Sequence, residues 1–174
     1  MAGLGEIRVT DFQGQCPHSL PILPYLAHQF VDHAFHDPHD FGEVGDVPGK
    51  GFLRRIAEWS QAQTAVRRVL HPALPGSPGH EHWAGLCSAA AGLLTLEIDP
   101  RHSVEQVNAF VDGLQSFRIG WSWGGPVSLA VPYQARFMRE LPTPYEGVLV
   151  RLCIGLESVD DLIADLGAGL ARLG

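Results

Sequence analysis

Arg151 stands in Val148-Leu149-Val150-Arg151-Leu152-Cys153-Ile154, where strict alternation puts Val148, Val150, Leu152 and Ile154 on one strand face and Leu149, Arg151 and Cys153 on the other. An arginine among apolar neighbours needs an anion. Its planar fork of donors suits a carboxylate, which can belong to a ligand or to one of the chain's own acids, and an internal salt bridge is the simpler arrangement for a buried charge. Ser122-Trp123-Gly124-Gly125 sets a hydroxyl and an indole before two residues without a Cβ, so that the backbone can approach a ligand closely. A glycine turn beside a core tryptophan has the same letters.

Two other groups suggest chemistry and match it poorly. His28, Asp32, His33, His36, Asp37, His39 and Asp40 place His28, Asp32 and His36 four apart on one face of a helix running from about Leu20 to Phe35. No zinc spacing fits them, HExxH is absent and Pro38 interrupts the helix, so a solvated polar face is the expectation and a metal-binding protein the alternative. Gly49-Lys50-Gly51 lacks the upstream glycines and the hydroxyl of a phosphate loop. Lys50 is the only lysine in the chain.

The elements that must carry these residues are legible from Phe52 onward. A helical pattern in Leu53, Ile56, Ala57 and Trp59 leads to a β-branched stretch around Val66, Val69 and Leu70. The cluster from His71 to Gly79, dense in proline and glycine, predicts an extended connection. Gly92 to Ile98 reads as a strand. Ser103 with Gln106 three residues on predicts a capped helix carrying Val104, Val107, Phe110, Val111 and Leu114. Arg118 to Trp123, Ser128 to Val131 and Val148 to Ile154 are strand-like runs. Ser158 is the expected N-cap of a last helix, with Asp160 and Asp161 in its first turn and Leu162, Ile163, Leu166, Leu170 and Leu173 as its buried stripe. Successive strands with short connections imply an α/β fold with a mainly antiparallel sheet and helices packed on one face. Residues 1–52 are loop-rich and unassigned, interrupted by Pro17, Pro21, Pro24, Pro38 and Pro48.

Composition bounds the function classes. The 174 residues hold 12 basic and 19 acidic side chains, a formal charge of −7, and 45% are apolar. A chain of this size buries roughly 70% of its extended surface, enough for one core. The negative charge disfavours nucleic acid and anionic membranes as partners. With no apolar run near the roughly 18 residues of a membrane helix and no basic-then-apolar leader, the expected location is cytoplasmic. Cys16, Cys87 and Cys153 are unpaired in spacing and read as reduced thiols.

Taken in order, the motifs resemble the C-terminal domain of cystathionine beta-lyases, in the Cys/Met-metabolism family of pyridoxal-phosphate enzymes. The landmarks are Val69-Leu70-His71-Pro72-Ala73-Leu74-Pro75-Gly76, Pro78-Gly79-His80-Glu81, Phe110-Val111-Asp112, Ser122-Trp123-Gly124-Gly125, Ser128-Leu129, Arg151, Ile154-Gly155-Leu156-Glu157 and Asp161-Leu162-Ile163-Ala164-Asp165-Leu166. The resemblance implies the small C-terminal domain of a fold-type I pyridoxal-phosphate-dependent transferase-like enzyme over residues 53–174. It implies that Arg151 clamps the α-carboxylate of a sulfur amino acid such as cystathionine, and that Ser122 and Trp123 line the same pocket, with Trp123 pointing to the beta-lyase branch. The activity implied is cleavage of the C–S bond of cystathionine to homocysteine, pyruvate and ammonia, with pyridoxal 5'-phosphate as cofactor.

The same comparison implies what this stretch does not carry. The family's Schiff-base lysine, phosphate-binding glycines, pyridine-nitrogen aspartate and ring-stacking tyrosine belong to a preceding cofactor domain, and Lys50 lies in no matching motif. Ser77 replaces the family's usual cysteine and Val127 a frequent glutamate. The expectation is a truncated lyase-like protein that is inactive alone and does not bind the cofactor by itself. The alternative is a binding or assembly module that pairs with a separate cofactor domain, a full-length paralogue or a further copy of itself.

Overall fold

A computed structural model of the chain describes residues 52–87, 90, 92–138 and 142–173. Its elements run α1 (Phe52–Gln61), β1 (Val66–Leu70), α2 (His80–Leu86), β2 (Leu93–Ile98), α3 (Val104–Asp112), β3 (Arg118–Ile119), β4 (Leu129–Tyr133), β5 (Leu149–Cys153) and α4 (Val159–Leu170), with single 3-10 turns at Ala135–Phe137 and Ala171–Leu173. The five strands form one sheet in the order β1-β2-β5-β4-β3. All pairs are antiparallel except β3 with β4, so the mainly antiparallel sheet expected from the sequence is present.

Strand alternation sorts side chains into two faces. Leu94 and Leu96 of β2 lie opposite Leu152 and Val150 of β5, and Ala130 of β4 lies opposite Leu152 on the other side. This face is buried under α1, α3 and α4, which contribute Leu53 and Ile56, Val107 and Phe110, and Leu162 and Leu166 to one continuous core. Ile56, Phe110, Leu162 and Leu166 are almost wholly buried, and each such side chain contributes about 1.5–3 kcal/mol of transfer free energy. The layer of helices is therefore anchored by the central strands β2 and β5. On the opposite face Thr95, Arg151 and Val131 form one cross-strand row, and Leu93, Cys153 and Leu129 form the next.

Local signals account for most element ends. Ser103 and Gln106 complete a reciprocal capping box, the side chain of each taking the other's backbone N–H. Ser158 does occupy the N-cap position of α4, but its side chain makes no capping hydrogen bond; the acidic pair Asp160 and Asp161 in the first turn supports that end instead. The expected extended connection from His71 to Gly79 is a series of turns, with Leu74, Ser77 and His80 each donating to a carbonyl three residues back. It delivers the chain into α2, a two-turn helix without a buried residue, whose polar sequence His80-Glu81-His82 gives no apolar period to read. The helix over Leu20–Phe35, the histidine cluster from His28 to Asp40, and Lys50 lie outside the described residues.

Candidate active site on the helix-free face

Arg151 sits at the middle of β5, on the face away from the helices, between Thr95 of β2 and Val131 of β4. Its position on a central strand fixes the backbone on both sides, so the guanidinium's aim depends on what meets it beyond the sheet. That partner is the connection between β3 and β4. Nη2 of Arg151 donates to the Trp121 carbonyl and, at 3.4 Å, to the Ser122 carbonyl. The guanidinium carbon lies 5.3 Å from the Trp121 ring centroid and 5.7 Å from that of Trp123, within cation–π range of both.

The internal salt bridge that the strand pattern favoured is not made: among the described residues Arg151 has no carboxylate partner. Burial pulls its pKa down from the ordinary arginine value, and the nearby Tyr133 and Cys153 oppose that pull. A guanidinium stays charged through such a shift, so the site holds a cation whose countercharge the described fold does not provide. Only Nη2 is engaged; Nε and Nη1 have no partner among the described residues.

The glycine pair following Trp123 turns the chain back toward the sheet. Gly124 has φ +73, a left-handed conformation that a side chain would strain, and its N–H points to Cys153 Sγ at 3.4 Å. Cys153 is a buried free thiol; burial raises its pKa, outweighing the Gly124 N–H and Arg151, so it is held neutral. Beyond the turn, Ser128 is fully buried and its N–H and hydroxyl both donate to the Glu157 carboxylate, at 2.8 and 2.7 Å. Gly155 fits between these groups because a Cβ there would come within 2.5 Å of the Pro126 carbonyl and 2.7 Å of Ser128 N. The Gly155-Leu156-Glu157 segment is thus the clasp of the loop that meets Arg151.

Of the residues singled out from sequence, Arg151, Ser122 and Trp123 come together, with Ser122 contributing its backbone carbonyl. Trp121 and the Trp121 carbonyl were not among them. The only trace of this role is the alternation Trp121-Ser122-Trp123, which repeats an indole at a two-residue interval; the acceptor itself is backbone and leaves no letter in the sequence. Arg118 to Trp123 reads as a strand, yet pairing ends at Ile119, which frees Trp121 to Trp123 to fold over β5. The described residues include no lysine and no group of three or more metal-ligating side chains. The Arg151 guanidinium offers donors to an anionic group, and the described residues supply no amine to anchor pyridoxal phosphate.

The described residues thus form a mixed α/β sheet carrying, on its helix-free face, an arginine that has no carboxylate partner among them and meets a β3–β4 loop of tryptophans and glycines. A profile of the Cys/Met metabolism PLP-dependent enzymes matches residues 53–171, and the chain belongs to that family. It is 40% identical over 123 residues to the cystathionine beta-lyase of Escherichia coli (strain K12), covering 68% of this chain and 31% of that protein. It is 39% identical over 120 residues to the L-alanine/L-glutamate racemase of Wolbachia pipientis wMel, covering 68% of this chain and 30% of that protein. Among solved structures, the cystathionine gamma synthase of Xanthomonas oryzae pv. oryzae in complex with aminoacrylate and cysteine superposes with a TM-score of 0.62 at 31% identity, over 71% of this chain and 33% of that one. The chain therefore spans about a third of the length of the relatives it matches. No helix among the described residues is long and apolar enough to cross a membrane.

Proposed function

We propose that residues 53–174 are the substrate-side C-terminal domain of a cystathionine beta-lyase-type enzyme, with Arg151 binding the α-carboxylate of a sulfur amino acid such as cystathionine and Ser122 and Trp123 lining that pocket. The observation that carries this reading is the Arg151 guanidinium itself, oriented by two backbone carbonyls and two indoles while no acid of the described fold pairs with it. A half-buried charge without a countercharge is partly desolvated, and a bound carboxylate offsets that cost. The relatives' names support a carboxylate rather than a particular reaction, because cystathionine, alanine and glutamate are all α-amino acids.

Bound pyridoxal phosphate supplies the electron sink for carbon–sulfur cleavage in such an enzyme. The residues here would bind and orient the amino acid. Since the chain's one lysine, Lys50, stands outside the matched region, this 174-residue stretch is proposed not to catalyse by itself. Catalysis is proposed to need a cofactor domain beyond the matched residues.

Calorimetric titration of the full chain with cystathionine, for wild type and Arg151→Ala, tests the site. Binding that disappears in the variant is the expected result, and equal affinity in both would overturn it. Intact mass after treatment with pyridoxal phosphate and borohydride, together with a pyruvate-release assay, tests the second claim. An adduct lost in Lys50→Ala and accompanied by pyruvate release would show a working site built around Lys50.

A further inference from the structure

The loop that gives Arg151 its acceptors is held along its length by the last residue of β5 and the segment that follows it. Gly124 N–H reaches Cys153 Sγ, Leu156 N–H donates to the Pro126 carbonyl at 2.9 Å, and Gly155 N–H donates to Ser128 Oγ at 2.9 Å. The strongest of these ties is charged: both oxygens of Glu157 are taken by Ser128, one by its N–H and one by its hydroxyl. Among the described residues Glu157 lies within ion-pair reach of no arginine. Burial pushes its pKa up, and the hydrogen bonds from Ser128 more than reverse this, leaving it below the usual value. Its carboxylate is committed to a serine that has no solvent exposure.

The geometry points to Glu157 as a positioning residue for Arg151. By fixing Ser128, it holds the Trp121–Ser128 loop at its far end, and with that loop the two carbonyls that orient the guanidinium. The inference rests on the proposed role of Arg151 as a carboxylate clamp and adds a residue that acts through it without touching the ligand. Ser128 is the relay: its hydroxyl donates a hydrogen bond to Glu157 and accepts one from the Gly155 N–H, so that one side chain locks the loop to both ends of the clasp.

The test combines a readout without ligand and one with it, on the full chain. The Nε–Hε resonance of Arg151, assigned by its loss in Arg151→Ala, reports the guanidinium's surroundings directly. Glu157→Ala is expected to move that resonance and to weaken cystathionine binding about tenfold, with Ser128→Ala and Glu157→Gln shifting both in the same direction by less. A folded Glu157→Ala with a lowered unfolding midpoint and an unmoved Arg151 resonance would reduce the residue to a structural tie and overturn the inference. Should Glu157→Ala not fold, unmoved resonances in both Glu157→Gln and Ser128→Ala would have the same force. If Arg151→Ala binds cystathionine as the wild type does, the clamp reading fails, and the resonance still decides whether Glu157 positions Arg151.

Discussion

The Arg151 guanidinium takes its orientation from Trp121 twice over, through a hydrogen bond to the Trp121 carbonyl and through the indole ring 5.3 Å away. One residue thus supplies both an in-plane acceptor and a face for the planar cation. A lysine in this place could keep the charge but could not hold a carbonyl and present further donors to a ligand in one plane.

Arg151→Lys is accordingly expected to weaken binding of an amino-acid carboxylate by about tenfold or more, despite the retained charge. Titration of the variant with cystathionine beside wild type and Arg151→Ala checks this. Affinity within twofold of wild type would mean that charge alone is recognised and that the fork geometry is incidental.

The framework of the site was legible in the sequence and its aim was not. The alternation of Val148 to Ile154 predicts β5 and the face of Arg151, and the register bears this out, with Val150 and Leu152 in the core beneath the helices and Arg151 opposite Thr95. The capping box at Ser103 and the leucine stripe of α4 were likewise readable, because each depends on contacts within a few residues or on a period. What failed depended on distance in the chain. The acceptors of Arg151 lie about thirty residues earlier and are backbone atoms, and the Ser128–Glu157 pair spans 29 residues with no periodic mark. Helix α2 was hidden for a different reason: it buries nothing, so it has no stripe to detect.

Glu97 predicts a stability effect independent of the site. It is fully buried on β2, where Oε1 accepts the Glu146 N–H at 3.0 Å and the Gly147 N–H at 3.4 Å, and Arg68 Nε stands 3.5 Å from Oε2. These contacts fasten the turn that enters β5. Glu97→Ala would strand the Glu146 and Gly147 N–H groups while leaving the partly exposed Arg68 to solvent, and should cost about 2–4 kcal/mol in denaturant unfolding. Glu97→Gln retains an acceptor and should cost less. A loss below about 0.5 kcal/mol for the alanine variant would show that water replaces the carboxylate without penalty.

His71 makes the fold sensitive to acid. The ring is buried where β1 ends, its Nδ1 lies 3.2 Å from the Leu93 carbonyl, and burial lowers its pKa from the ordinary 6.5, with the Leu93 contact opposing. A histidine whose folded pKa lies below its unfolded one binds more protons when unfolded, so its neutral form favours the native state fully above pH 6.5. That contribution is lost as pH falls from the unfolded value through the folded one, at a slope of at most about 1.4 kcal/mol per pH unit. Urea midpoints measured from pH 7.5 down to pH 5 should therefore drop more steeply for wild type than for His71→Gln, which keeps a donor for the Leu93 carbonyl but does not titrate. Parallel profiles for the two proteins would assign the acid sensitivity to other groups and leave His71 as a neutral packing residue at every pH in that range.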